Sequence, residues 1–202
     1  MTTATIFVAS AVDAVSGLSA DGVHWTLPKR IPANPVGTGV DDLIPGLAVD
    51  RSTSGNSAHL GLVYYYFPSI FCTPSTCQLN VGFISSTNGG ASWSLAHQLA
   101  GPMTLTWLPL TTQGFMVADY LSTSIVPGDD DATPVFEVAK PPTGGATSCS
   151  NLSNGAPGQH CDQATYTTPE DLLKIVGGTN VSNAVAPSNV SKPGLSSPAT
   201  AF

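Results

Sequence analysis

The chain has 202 residues, of which 42% are hydrophobic and only 9% charged, with a formal net charge of −7. That is enough apolar material for a substantial core, but the charge lies far below the roughly 25% usual for soluble domains, so Ser, Thr, Asn, Gly and Pro must cover the surface. The acidic balance lacks the basic stripe a nucleic-acid backbone requires, no apolar run approaches membrane-spanning length, and 20 Gly with 17 Pro leave little room for long helices.

In chain order, Met1 leads into Thr2–Ser10 with no Lys or Arg ahead of the apolar part, which makes a poor signal peptide. Thr5–Ala9 and Ala14–Leu18 read as strands approaching a sharp turn, Ser19–Trp25. Ala33–Asp42 reads as a polar linker. Pro45–Asp50 then predicts a short strand, followed by a turn rich in Ser, Gly and Asn through Ser57. Leu60–Phe67 is a second strand, dense in β-branched and aromatic residues. Its tyrosines alternate faces, so Tyr65 points away from Tyr64 and Tyr66 and is a candidate aromatic contact for a ligand. The Cys72–Cys77 loop leads to a third strand, Leu79–Ser85. A second sharp turn, Ser86–Trp93, opens a fourth near Ser94–Leu99. Four such strands make one antiparallel meander.

The pattern then restarts. Gly114–Tyr120 resembles the first strand, Pro134–Ala139 the second and Gln163–Thr167 the third, with Cys149–Cys161 placed as Cys72–Cys77 is. Trp25 and Trp93 are 68 positions apart and Asp50 and Asp119 are 69 apart, which predicts a repeat of that length. Pro169–Val176 has helix character: Pro169, Glu170 and Asp171 suit a helix start, and Gly177–Gly178 would end it. The expected units are therefore 1–32 (the end of a preceding unit), 33–101 (a complete one), 102–176 (an incomplete or irregular one) and a flexible tail, 177–202.

Both sharp turns follow one logic. In Ser86-Thr87-Asn88-Gly89-Gly90-Ala91-Ser92-Trp93, Asn88 can accept backbone N–H groups while Gly89 and Gly90 tolerate unusual dihedrals. Trp93 then returns a large apolar surface to the core. Ser19-Ala20-Asp21-Gly22-Val23-His24-Trp25 repeats this in a shorter loop. The two segments resemble the Asp-box, or BNR, repeat of sialidase-like β-propellers; the first retains Asp21, and the second carries Asn88 in its place. The resemblance spans residues 4–168. It implies an all-β fold: a propeller fragment of roughly two to two and a half four-stranded antiparallel blades, with an irregular C-terminal tail. It also implies a structural role for Ser19, Asp21, Gly22, Trp25, Ser86, Asn88, Gly90 and Trp93.

Sialidases of that family hold a carboxylate with three arginines, and use a Tyr nucleophile with a Glu partner and an Asp acid/base. Guanidinium forks match a carboxylate geometrically, and the acid/base groups must flank the scissile bond. This chain has two arginines, Arg30 and Arg51, so it cannot supply the triad alone. Asp50, Asp119, Tyr120 and Glu137 are the candidates for catalysis, and Arg51, Tyr65 and Tyr120 for ligand contact. A general glycoside hydrolase needs two carboxyl groups at a suitable separation, which spacing in sequence does not establish.

The expected function is a propeller segment with a scaffold or carbohydrate-binding role, non-catalytic in isolation. The alternatives are part of an exo-acting glycoside hydrolase whose other blades lie elsewhere, and a protein-binding repeat scaffold. Open blade edges call for further blades or a second copy. Cys72–Cys77 and Cys149–Cys161 are the expected disulfides, pointing to an extracellular or cell-surface setting. His24, His59, His97 and His160 form no compact metal motif. Asp129-Asp130-Asp131 could offer oxygen ligands to calcium but has no EF-hand pattern. Asn151, Asn180 and Asn189 each begin an Asn-x-Ser sequon.

Overall fold

Short segments, the longer of them apolar or alternating as in Leu60–Phe67 and Gln78–Ser86, form antiparallel strands. The computed structural model describes residues 4–9, 13–19, 21–117, 119–150, 159–168 and 170–171. Their strands are β1 (Ala4–Ala9), β2 (Ala14–Ser19), β3 (Lys29–Arg30), β4 (Asp41–Val49), β5 (Leu60–Phe67), β6 (Gln78–Ser86), β7 (His97–Thr104), β8 (Leu110–Thr111), β9 (Gly114–Phe115), β10 (Ser122–Ile125), β11 (Asp131–Thr143), β12 (His160–Thr167) and β13 (Glu170–Asp171). The protein is all-β, built of several short antiparallel sheets: β1-β2-β3, the meander β4-β5-β6-β7, β10-β11-β12 with β13 also on β11, and the hairpin β8-β9. Among the described residues, no helix is long and apolar enough to cross a membrane.

The meander sits in the middle. On one of its faces Leu62, Tyr64, Tyr66 and Ile84 pack with Ala14, Ile31 and Ala33 from the β1–β3 region. On the other, Val63, Tyr65, Val81 and Phe83 pack with Leu121, Ala132, Phe136 and Tyr166 from the β10–β12 sheet. This explains why β5 is apolar at nearly every position: it is buried on both faces, so alternation gives way to a continuous run. Tyr65 does point opposite to Tyr64 and Tyr66, but into the second core with no exposed surface, so it is not available to a ligand. Its hydroxyl accepts from Glu137 N–H and donates to Glu137 C=O, both at 2.9 Å. Strand β10 begins at Ser122, opposite Val135, and so does not reach Glu137. The Tyr65 hydroxyl thus satisfies backbone groups of β11 beyond the end of its neighbour.

Several boundaries differ from the sequence reading. The supposed linker 33–42 packs: Ile31 and Ala33 are core, Asn34 is buried, and β4 already starts at Asp41. The fourth strand of the meander lies at His97–Thr104 rather than Ser94–Leu99. Gly114–Tyr120 is not the first strand of the next sheet. Gly114–Phe115 folds back on Leu110–Thr111 through Gly114, whose φ is 107°, and β10 takes the position beside β11. Glu170–Asp171, expected to begin a helix, instead forms a bridge to Asp131–Ala132. The rest of that helix, the tail 177–202 and the three sequons lie outside the described residues. Both expected disulfides, Cys72–Cys77 and Cys149–Cys161, are present.

Candidate functional site

The joint between the meander and the β10–β12 sheet is set by a glycine. A Cβ at Gly46 would lie 2.7 Å from the Leu121 carbonyl oxygen and 3.0 Å from the Ser122 nitrogen. Only a residue without a side chain lets β4 approach β10 this closely. The Thr123 hydroxyl then donates to the Gly46 carbonyl at 2.9 Å, across the joint. Beyond this contact the strands enclose a cleft of about 560 Å³, lined by Leu47, Val49 and Arg51 on one side and Thr123, Ile125 and Pro127 on the other. Arg51 is exposed and makes no ion pair among the described residues, which leaves its guanidinium at the cleft.

At the same end of β4 lies a cluster that sequence reading missed. Asp50 N–H donates to the His59 carbonyl at 2.9 Å, closing the β4–β5 connection. Asp130 arrives from the β10–β11 turn, where it adopts a φ of 56°, a left-handed conformation that Asp tolerates better than most residues. His59 Nδ1 hydrogen-bonds Asp130 Oδ1. One ligand atom from each of Asp50, His59 and Asp130 lies within 4.8 Å of the other two. Asp50 has no exposed surface. Burial pushes its pKa up, but the Ser52 amide and hydroxyl, the Gly128 amide and the His59 charge together hold it below the ordinary carboxylate value. No motif joins these three, because 71 positions separate His59 from Asp130. The Asp-x₈-His spacing from Asp50 to His59 is the sole local signal.

The other candidates are scattered. Asp119 and Tyr120 sit on the connection to β10, Tyr120 being 88% exposed, and neither lines the cleft. Glu137, midway along β11, accepts from the Thr165 hydroxyl on β12. Asp50, Asp119 and Glu137 therefore do not meet in one constellation. Of the acidic run, Asp130 alone joins a cluster; Asp129 N–H closes a turn onto Val126 C=O at 3.2 Å, and Asp131 opens β11 opposite Asp171.

The two sharp turns repeat one hydrogen-bond plan. Ser19 Oγ accepts from Gly22 N–H at 2.8 Å and donates to Asp21 Oδ1 at 3.2 Å. Ser86 Oγ accepts from Gly90 N–H at 2.9 Å and donates to Asn88 Oδ1 at 3.0 Å. Asp21 Oδ1 in turn accepts from Val23 and His24 N–H at 2.8 Å, as Asn88 Oδ1 does from Ser92 N–H at 2.8 Å. Both returns are anchored alike: Thr26 N–H donates to Leu18 C=O at 2.8 Å, and Ser94 N–H to Ser85 C=O at 2.7 Å. Gly22, Gly89 and Gly90 have φ of 76°, 66° and 82°. The side-chain bond from His24, followed by the His24 and Val23 amides, holds Asp21 well below the usual carboxylate range. Trp93 packs against the core while Trp25 is 38% exposed. Asp21 Oδ1 and Asn88 Oδ1 are thus engaged within the turns themselves.

Comparison with family models, with curated protein sequences and with solved structures returned no match to this chain.

Proposed function

We propose that the chain is a segment of an Asp-box, sialidase-like β-propeller of two to two and a half blades, with a scaffold and carbohydrate-binding role rather than a catalytic one. The observation that carries this reading is the repeated turn: one Ser-centred hydrogen-bond plan, at the ends of β2 and β6, on two sheets that pack against each other. Isolated loops have no reason to share such a plan, whereas repeated blades do. A second support is the approach of β4 to β10, since neighbouring blades in a propeller meet through their inner strands.

In this reading the cleft is where the carbohydrate sits, and Arg51 recognises a carboxylate-bearing sugar by charge-assisted hydrogen bonds. Catalysis is not part of it, because Asp119, Tyr120 and Glu137 do not face the cleft. The test is titration of the full chain with a sialic acid-terminated trisaccharide and, separately, with its neutral counterpart, followed by NMR. Saturable binding of the acidic sugar, lost in Arg51→Ala and without release of sialic acid, is expected. Equal response to the neutral sugar, or an unchanged response in Arg51→Ala, would sink the carbohydrate role. Turnover abolished by Asp119→Asn or Tyr120→Phe would replace it with an enzymatic one.

A further inference from the structure

We propose that Asp50, His59 and Asp130 form a binding site for a divalent transition metal of the zinc class, linking the meander to the β10–β12 sheet. The proposal stands whether or not Arg51 binds a sugar, because it uses other side chains and another chemistry.

The donor set is one imidazole nitrogen and two carboxylate oxygens, already gathered within 4.8 Å of one another. Zinc ligands at about 2.0–2.2 Å from a common centre sit somewhat closer together than that limit, so a small inward movement completes the coordination. The site is screened: Asp50 is fully buried, and the side chains of His59 and Asp130 are 17% and 21% exposed. Positive charge placed between two neighbouring carboxylates stabilises both, in addition to the hydrogen bonds that Asp50 already takes from Ser52. A single imidazole Nδ1 can serve one of them at a time, and here it is bonded to Asp130. A dication on Nδ1 and both carboxylates serves all three, replacing that one hydrogen bond.

The ligands are also held in place. Ser52 N–H and its hydroxyl donate to Asp50 Oδ1 at 2.8 and 2.9 Å, and the hydroxyl also approaches Oδ2 at 2.8 Å, which fixes the carboxylate plane. His59 N–H donates to the Thr53 hydroxyl at 2.9 Å, and Thr53 in turn bonds the Asp50 carbonyl through its amide and hydroxyl at 3.1 and 2.9 Å. Asp50 and His59 are thereby locked together on one sheet, and Asp130 comes from the next. Calcium takes 6–8 oxygen ligands, which this set of three with a nitrogen donor does not supply. Zinc or cobalt, with three protein ligands and a fourth position for water, matches it.

The test uses the full chain stripped with a chelator. Calorimetric titration with Zn²⁺ is expected to show one equivalent bound, and Co²⁺ to give the visible bands of a tetrahedral site. His59→Gln and Asp130→Asn are each expected to weaken binding by at least about tenfold. His24→Gln, which alters the exposed His24–Asp21 pair, is expected to change nothing. A second arm needs no substitution: Zn²⁺ should protect His59, and not His24, from acylation by diethylpyrocarbonate in the wild-type chain, as read by mass spectrometry. Absence of saturable Zn²⁺ binding, binding insensitive to both site variants, or unprotected His59 at saturating Zn²⁺ would each overturn the proposal.

Discussion

At the scale of single residues, Asp42 shows how a buried carboxyl shapes stability. It lies on β4 with 3% of its surface exposed, accepting a hydrogen bond from Asn34 Nδ2. Burial pushes its pKa from 3.8 up to about 7; the Asn34 bond and Arg30 oppose the shift, while Asp13 and Asp41 add to it. The folded protein therefore holds this proton more tightly than the unfolded chain does. Its contribution to stability is fully present below the unfolded value and is lost as pH rises through about 7. Asp42→Asn keeps an acceptor for Asn34 and removes the titration. It is expected to match the wild type near pH 4 and to exceed it by about 2–4 kcal/mol at pH 8. Urea denaturation of both proteins across that range decides the matter, and parallel pH profiles would contradict the assignment. Residues of the sharp turns were readable from sequence because their partners lie within a few positions, as Ser19 does from Gly22. Asp42 was not, since its neighbours are Asn34, its cross-strand partner Tyr66 and nearby Tyr64, which the sequence does not bring together.

At the scale of elements, a strand is legible where its own residues carry the pattern and illegible where a neighbouring sheet selects it. Leu60–Phe67 is continuous, β-branched and aromatic, so its identity as a strand did not depend on its neighbours. Gly114–Tyr120 resembles the first strand of the meander, yet only Gly114–Phe115 pairs, with Leu110–Thr111, and Val117 is buried as a single anchor in the core. The short polar Ser122–Ile125 is the strand instead, paired with Ala132–Val135 of β11, and Thr123 with the close approach of Gly46 holds it against β4. Gly46 precedes that contact within a bulge between Leu43 and Gly46, where Ile44 has a φ of 49°. Gly46→Ala must force backbone apart at Leu121. It is expected to cost about 1–3 kcal/mol, as overpacking does, and to broaden NMR signals from cleft residues. Calorimetric melting that leaves the transition unchanged would show that β4 and β10 can separate freely.

At the scale of the whole molecule, long-range connections matter more than any one sheet. The two disulfides close loops of different kinds: Cys72–Cys77 spans 5 positions within the meander, and Cys149–Cys161 spans 12 between β11 and β12. The Cys149 amide also donates to the Thr106 carbonyl at 2.7 Å, tying the longer loop back to the chain after β7. By loop-closure entropy, losing the longer bridge costs about 3 kcal/mol and the shorter about 2. Thermal melts of Cys149→Ser/Cys161→Ser and Cys72→Ser/Cys77→Ser are expected to rank in that order, and the reverse ranking would refute the entropic account. The amino-acid sequence by itself determined the all-β character and the two Ser-centred turns, and it made disulfides between neighbouring cysteines the expectation that the structure then bears out. Each of these depends on propensities and hydrogen bonds spanning a few residues. Tertiary structure alone decided that Tyr65 faces a core rather than solvent, that β10 rather than 114–120 lies beside β4, and that Asp130 meets His59 and Asp50. Those outcomes depend on which sheet packs against which face, and strand periodicity specifies that a face is buried without specifying what covers it.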